Sequence, residues 1–251
     1  MKYKISIVYM FYLITITSCV LSDDTSNQSN KGDFSYPNYS TFYHNDFAIN
    51  DFENIGSLNT PDSSVTISDG KLKINPGRAF GSIGRVSFNS PNLEDNTGKI
   101  IWAFNAAVED GEFSNLFRFR ISEYDPNTHG DQNYGIYMEV GSGQDNSDMH
   151  LSRLSRDSEN TNSILEDYDG LDELPSIGSF KFVYDTDSKE WEFYFEQSTS
   201  LIDPLEISTL VATYSEVSVN NNTNLNLRLI SFESRSSGGL YIDNFSILVS
   251  Q

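Results

Sequence analysis

Residues 180–196 read FKFVYDTDSKEWEFYFE: two aromatic runs, 180–184 and 191–196, either side of the polar string Asp185-Thr186-Asp187-Ser188-Lys189. In the second run Trp191, Phe193 and Phe195 alternate with Glu192, Tyr194 and Glu196. This period of two puts three rings on one side of an extended chain and the polar groups on the other. The intervening Asp, Thr, Ser and Lys supply a turn, so the stretch predicts an antiparallel hairpin. The same alternation recurs outward from it. Phe117, Phe119 and Ile121 oppose Leu116, Arg118 and Arg120; Ile136, Met138 and Val140 oppose Tyr137 and Glu139. Ser68-Asp69-Gly70 separates 65–67 from 72–74 and predicts a second hairpin. Further strands are expected over 85–88, 99–108, 115–122, 134–140, 149–154, 225–232 and 240–249. Helical spacing over more than ten positions is absent beyond the first twenty residues. The expected fold class is all-β, a two-sheet antiparallel β-sandwich or barrel, each strand giving one apolar face to the core. Each large aromatic side chain buried there contributes roughly 1.5–3 kcal/mol.

Composition bounds the rest. The 251 residues are 37% hydrophobic and 13% aromatic, enough for a core, and one domain plus a tail is expected. Thirty-six acidic against 16 basic side chains leave a net charge of -20. Such a balance repels phosphate backbones, and no basic run offsets it, so nucleic acid is not an expected partner. The single cysteine excludes a disulfide framework and a Cys-based structural zinc site. His44, His129 and His150 lie far apart without metal-ligand spacing, and no nucleophile elbow, phosphate loop or dinucleotide fingerprint occurs.

The N-terminus carries its own signal. Lys2 and Lys4 precede an uncharged, largely apolar run over 5–17, too short for a membrane span but matching the hydrophobic region of a secretory signal. Ile16-Thr17-Ser18-Cys19 resembles the lipobox of bacterial lipoproteins. The resemblance implies that residues 1–18 are removed and that Cys19 is acylated, leaving a mature chain of 14 basic and 36 acidic residues, net -22. Two or three acyl chains anchor stably where one binds marginally, each buried CH₂ adding about 0.8 kcal/mol. The acidic string Ser22-Asp23-Asp24 resembles the surface-export signal of Bacteroidetes lipoproteins, which implies an outer-membrane protein exposed at the cell surface and touching the membrane through its anchor only. An acidic residue beside the lipidated cysteine also marks inner-membrane retention in enterobacteria. Residues 19–40 are small and polar after the first few positions and read as a flexible tether, with the β-sandwich domain over 41–251.

Four strings appear in order: Ser68-Asp69-Gly70-Lys71-Leu72, Tyr134-Gly135-Ile136-Tyr137, Lys189-Glu190-Trp191-Glu192-Phe193-Tyr194 and Gly239-Leu240-Tyr241-Ile242-Asp243-Asn244-Phe245. Together they resemble bacterial members of the concanavalin A-like, or laminin-G-like, jelly-roll superfamily across about residues 41–249. The resemblance implies a two-sheet jelly roll with one concave face, used in different members for glycan binding, glycan cleavage or adhesion. Galactose-binding-like carbohydrate modules share a similar terminal strand and are the rival fold. Fold alone does not choose among the functions.

Glycan sites stack a sugar ring on an aromatic face and satisfy its hydroxyls with charged or amide groups, and uronic acids add a demand for Arg. Arg118, Arg120, Tyr137, Glu139, His150 and Tyr194, with Arg153 nearby, lie on the expected outer faces and are the candidate carbohydrate-binding residues. The bland alternative is cross-strand pairing of the arginines with Glu139 and Glu192. Glu190, Glu192 and Glu196 share a strand face, as the carboxylates of laminarinase-like glycosidases do about 5–5.5 Å apart. Tyr194 breaks their two-residue spacing, so a solvated face is the preferred reading. Polysaccharide lyases of the superfamily use Tyr with His or Arg, which keeps Tyr137, His150 and Arg118 as a lyase alternative. Glu166, Asp167, Asp169, Asp172 and Glu173 form an acidic loop. The superfamily also implies calcium where the first and last strands meet, with Asp46 or Asp51, Glu53 and Asp243 as its ligands; the alternative is that Asp243 and Asn244 start a turn or bond to backbone amides. The expected function is a surface-exposed, lipid-anchored, lectin-like module for a polysaccharide or glycan. A hydrolase or lyase, or an envelope protein that binds no glycan, are the alternatives.

Overall fold

Fourteen strands and no helix make up the regular structure of the described residues. In chain order they are β1 (Tyr39–Asn45), β2 (Val65–Ser68), β3 (Lys71–Ile74), β4 (Ile83–Phe88), β5 (Lys99–Val108), β6 (Phe117–Asp125) and β7 (Gly130–Val140). They continue as β8 (Met149–Ser155), β9 (Ser163–Leu165), β10 (Ile177–Asp185), β11 (Glu190–Ser198), β12 (Leu210–Ser215), β13 (Leu225–Phe232) and β14 (Leu240–Ser250). The structure is a computed structural model that describes residues 36–47, 65–75, 83–88, 90–91, 98–108, 117–125, 130–140, 149–155, 163–165, 177–198, 200–215, 225–232 and 240–251.

The aromatic hairpin forms as its pattern requires. Phe180, Phe182 and Tyr184 of β10 face Phe195, Phe193 and Trp191 of β11, with ring centroids 4.9, 4.9 and 4.6 Å apart. Such pairs add about 0.5–1.5 kcal/mol beyond area burial. The Asp185 carboxylate accepts the N–H groups of Asp187 and Ser188, and Lys189 takes the left-handed conformation that closes the turn. The Ser188 amide bond is the main reason that the Asp185 carboxyl titrates below its usual range. At the other predicted hairpin, Asp69 and Gly70 both have positive φ, the turn type an Asp-Gly pair favours between β2 and β3.

Two sheets result. Eight strands run β12-β11-β10-β5-β14-β3-β2, with β1 also paired to β14; six run β4-β13-β6-β7-β8-β9. The core between them holds Trp102, Phe104, Phe119, Phe180, Phe193 and Phe245, each no more than 1% exposed. The Phe104 ring reaches across to Phe119, with centroids 4.7 Å apart. This is the predicted antiparallel β-sandwich.

Three strands escaped the pattern. In β1 the register shifts between Thr41 and Tyr43, breaking the alternation, and β12 is an edge strand with mostly exposed side chains. The three-residue β9 is too short to show a period. Strand β1 begins at Tyr39, and Tyr36 already contacts the sheet, so order starts before the composition-based boundary at 41.

The outer face of the eight-stranded sheet is partly apolar and is covered. Ile101, Ala103, Val183 and Leu248 cluster with Leu205, against which Tyr36, Tyr39 and Tyr194 pack. Leu205 belongs to a strap, residues 200–209, that leaves β11 and crosses this face before entering β12.

Candidate functional site

On the six-stranded sheet, period two sends Phe117, Phe119 and Ile121 of β6 inward, and all are buried. The intervening Arg118 and Arg120 stay partly exposed on the outer face. Register sets Arg120 opposite Tyr137 and Arg118 opposite Glu139 on β7; on β8, Ser152 follows Tyr137 and His150 follows Glu139. The Tyr137 ring is partly exposed and lies near two guanidiniums, with the Cζ atoms of Arg118 and Arg120 5.9 and 5.7 Å from its centroid. Five of the six predicted carbohydrate-binding residues, Arg118, Arg120, Tyr137, Glu139 and His150, therefore occupy neighbouring positions on one face.

Gly135 positions this group. Its φ is +138°, and a Cβ there would lie 2.0 Å from the Ile121 carbonyl oxygen, so β6 and β7 meet at a point only glycine fits. Arg120 and Tyr137 stand directly beside that point.

Tyr194, the sixth residue, is apart from the other five. It lies on β11 of the other sheet, under the strap, where its hydroxyl donates to the Glu192 carboxylate at 2.9 Å. Burial, then the bond to Glu192, push its hydroxyl up to about 12. Lys181 Nζ stands 4.5 Å from the Tyr194 ring centroid and donates to the carbonyl oxygens of Leu205 (3.1 Å) and Ile207. Its titration is lowered, chiefly by burial. Alternation assigns a residue to the inner or outer side of its strand but not to a sheet, so the separation of Tyr194 from the arginines follows only from strand pairing.

The acidic strand has structural partners. Glu196 Oε1 accepts the backbone N–H groups of Ser208 and Thr209 and the Thr209 hydroxyl at 2.9–3.1 Å, fastening the far end of the strap. The Ser208 bond is the leading reason that its carboxyl titrates low. Glu192 pairs with Lys99 at 3.4 Å. These groups hold the covered face together.

The proposed metal ligands are only partly described: Asp51 and Glu53, like Cys19 and residues 166–176, lie outside the described residues. Asp46 and Asp243 lie where β1 meets β14, and burial is the main cause of a raised Asp243 titration, with the charge of Asp46 a minor contributor in the same direction. Asp243 Oδ1 accepts the Asn244 N–H at 2.8 Å, inside the bulge where Asn244 adopts φ +48°. Calcium takes six to eight oxygens, and the described residues contain no group of three metal-binding side chains. The described carboxylates fit a backbone cap better than a calcium cage. Beside them His44 Nδ1 lies 2.8 Å from Ser246 Oγ, and burial holds its titration below the usual histidine value.

No family model and no curated protein matches this chain. Solved structures do. The carbohydrate recognition domain of Emp47p superposes with a TM-score of 0.59 at 9% identity, over 87% of this chain and 100% of its own. The potassium-bound carbohydrate recognition domain of Emp46p gives 0.57 at 10%, over 83% and 97%. A structure reported with the endo-acting O-glycanases by which members of the human gut microbiota initiate mucin breakdown gives 0.57 at 11%, over 84% and 100%. At these identities the likeness concerns the fold, and the chain has the lectin-like β-sandwich of carbohydrate recognition domains.

Proposed function

We propose that the chain is a carbohydrate-binding module whose six-stranded sheet offers its outer face to a glycan, carried on a lipid anchor at Cys19 on the bacterial cell surface. The observation that carries the reading is the Tyr137 ring beside the Arg118 and Arg120 guanidiniums, all three partly exposed. An aromatic platform with forked donors beside it suits a sugar ring and its oxygens. Catalysis needs two proton-transfer groups converging on one bond. The carboxylates that alternation suggested for that role lie on the other sheet, where Glu196 caps the strap and Glu192 bonds to Tyr194 and Lys99. That favours binding over hydrolysis.

The test is a glycan array and a depolymerisation screen on the detergent-solubilised full chain. Retention of a glycan that Tyr137→Ala abolishes supports the reading. Turnover lost in Tyr137→Phe or Glu192→Gln would replace it with an enzyme, and no retention of any glycan would leave an adhesive or structural envelope protein. Lipidation has a separate test: Cys19→Ser should release the protein from the membrane fraction or leave it unprocessed, and unchanged retention of a processed chain refutes the anchor.

A further inference from the structure

Three tyrosines on outer faces carry cations at their rings: Tyr137 with Arg118 and Arg120, Tyr194 with Lys181, and Tyr241 with Lys73. The second shows what such a pair can hold. Lys181 Nζ lies 4.5 Å from the Tyr194 ring centroid and donates to the Leu205 and Ile207 carbonyl oxygens, while the ring packs on the apolar cluster that Leu205 seals. The strap is gripped there as a chain with an apolar side and an oxygen-bearing side, carbon toward the aromatic face and oxygens toward the ammonium. A pyranose divides in the same way between its C–H face and its hydroxyls.

Tyr241 repeats the pair away from the strap. Leu240 and Ile242 are buried in the core, so Tyr241 between them is on the outer face of the eight-stranded sheet. Lys73 Nζ lies 4.9 Å from its ring centroid. Register places Lys73 of β3 and Ala107 of β5 on either side of Tyr241 of β14, with Thr66 of β2 beyond Lys73. One row across four strands therefore presents a hydroxyl, an ammonium, an aromatic ring and a methyl; Thr66 is exposed and the other three are partly exposed. The strap's hold at Asn105, which donates to the Ile202 carbonyl oxygen at 3.0 Å, is one outer position away, because Asn105 is opposite Asp243. With Asp243 as the next outer residue of β14 and a chain at -20, the row suits a neutral saccharide better than an acidic one. We propose that Tyr241, Lys73 and Thr66 form a second saccharide site, for one neutral pyranose unit, on the opposite side of the sandwich from Tyr137. This rests on the carbohydrate-binding reading above and gives it a valence. One chain holds two sugar segments, and two weak sites retain a polymer far better than either does alone, so loss of Tyr137 suffices to empty a washed array.

The test is equilibrium dialysis of the detergent-solubilised full chain against labelled neutral oligosaccharides of glucose, xylose, mannose and galactose, and against oligogalacturonate, at concentrations that fill weak sites. For a neutral sugar, two equivalents should bind per chain, one in Tyr137→Ala, one in Tyr241→Ala and none in the double variant. Tyr241→Phe, which keeps the ring, should retain both. Lys73→Gln, a milder change in case Tyr241→Ala does not fold, should weaken one of the two about tenfold. Any stoichiometry and affinity that Tyr241→Ala and Lys73→Gln both leave unchanged overturn the inference; if Tyr137→Ala still lowers them, the carbohydrate-binding reading stands. A single equivalent lost in Tyr241→Ala but kept in Tyr137→Ala supports the Tyr241 site and removes the Tyr137 one. Binding of oligogalacturonate alone overturns the inference and leaves the carbohydrate-binding reading, whereas no binding to any saccharide, in dialysis or on the array, removes both.

Discussion

The outer faces of the two sheets are made by the same alternation of apolar and polar residues, yet they have opposite fates. On the eight-stranded sheet the polar positions are used up internally: Lys181 bonds to the strap, Glu196 caps it, and Glu192 joins Tyr194 to Lys99. Leu205 then seals an apolar cluster that would otherwise face water. On the six-stranded sheet the cations are arginines set opposite one another, with Tyr137 among them. The first arrangement is what a stability requirement produces. The second leaves Arg118, Arg120 and Tyr137 partly exposed, as the proposed binding face requires.

The largest effect should come from the residue that aligns the binding face. Gly135→Ala places a methyl against the Ile121 carbonyl oxygen at positive φ, so a loss of about 3 kcal/mol in urea unfolding is expected. A well-folded Gly135→Ala protein with unaltered glycan retention would show that the β6–β7 contact does not set the site.

Next is the strap. Leu205 is 2% exposed, and Leu205→Ala should cost about 2 kcal/mol, the low end for a core truncation because a surface segment can settle into the gap. Glycan retention should not change. If it falls, the strapped face takes part in binding and the contrast between the faces fails.

Asp243→Asn should act with a sign set by pH. Burial raises the Asp243 titration in the folded state, so the native protein holds that proton more tightly than the unfolded chain does. Its stability therefore falls as pH rises from the ordinary carboxylate value, 3.8, through the raised one. Asparagine keeps the oxygen that accepts the Asn244 N–H and removes the charge. Thermal melts should show the variant more stable at pH 7 and equal to the parent at pH 3. A variant less stable at pH 7, together with loss of a calcium-dependent gain in Tm, would make Asp243 a metal ligand.

Much of this was readable from residues alone. The hairpin at 180–196, the Asp-Gly turn and the inward aromatics were legible because side-chain direction in a strand follows from sequence parity and turn chemistry is local. The same parity put Arg118, Arg120, Tyr137 and Glu139 on outer positions, and nearest-neighbour pairing of β6 with β7 and β7 with β8 brought them together with His150. That Tyr194 lies on the other sheet was not legible, because parity carries no information about which sheet a strand joins. The opposition of Arg228 to Arg120 was invisible for a related reason: β13 pairs with a strand more than a hundred residues earlier in the chain.

By itself, then, the sequence determined that the protein is an antiparallel β-sandwich of aromatic core and acidic exterior, and which side of each strand faces inward. Those properties depend on period two, on turn residues and on composition, all of which act over a few residues. Only the tertiary structure decided which outer face is strapped shut and which gathers the arginines, since both depend on pairing between strands distant in the chain.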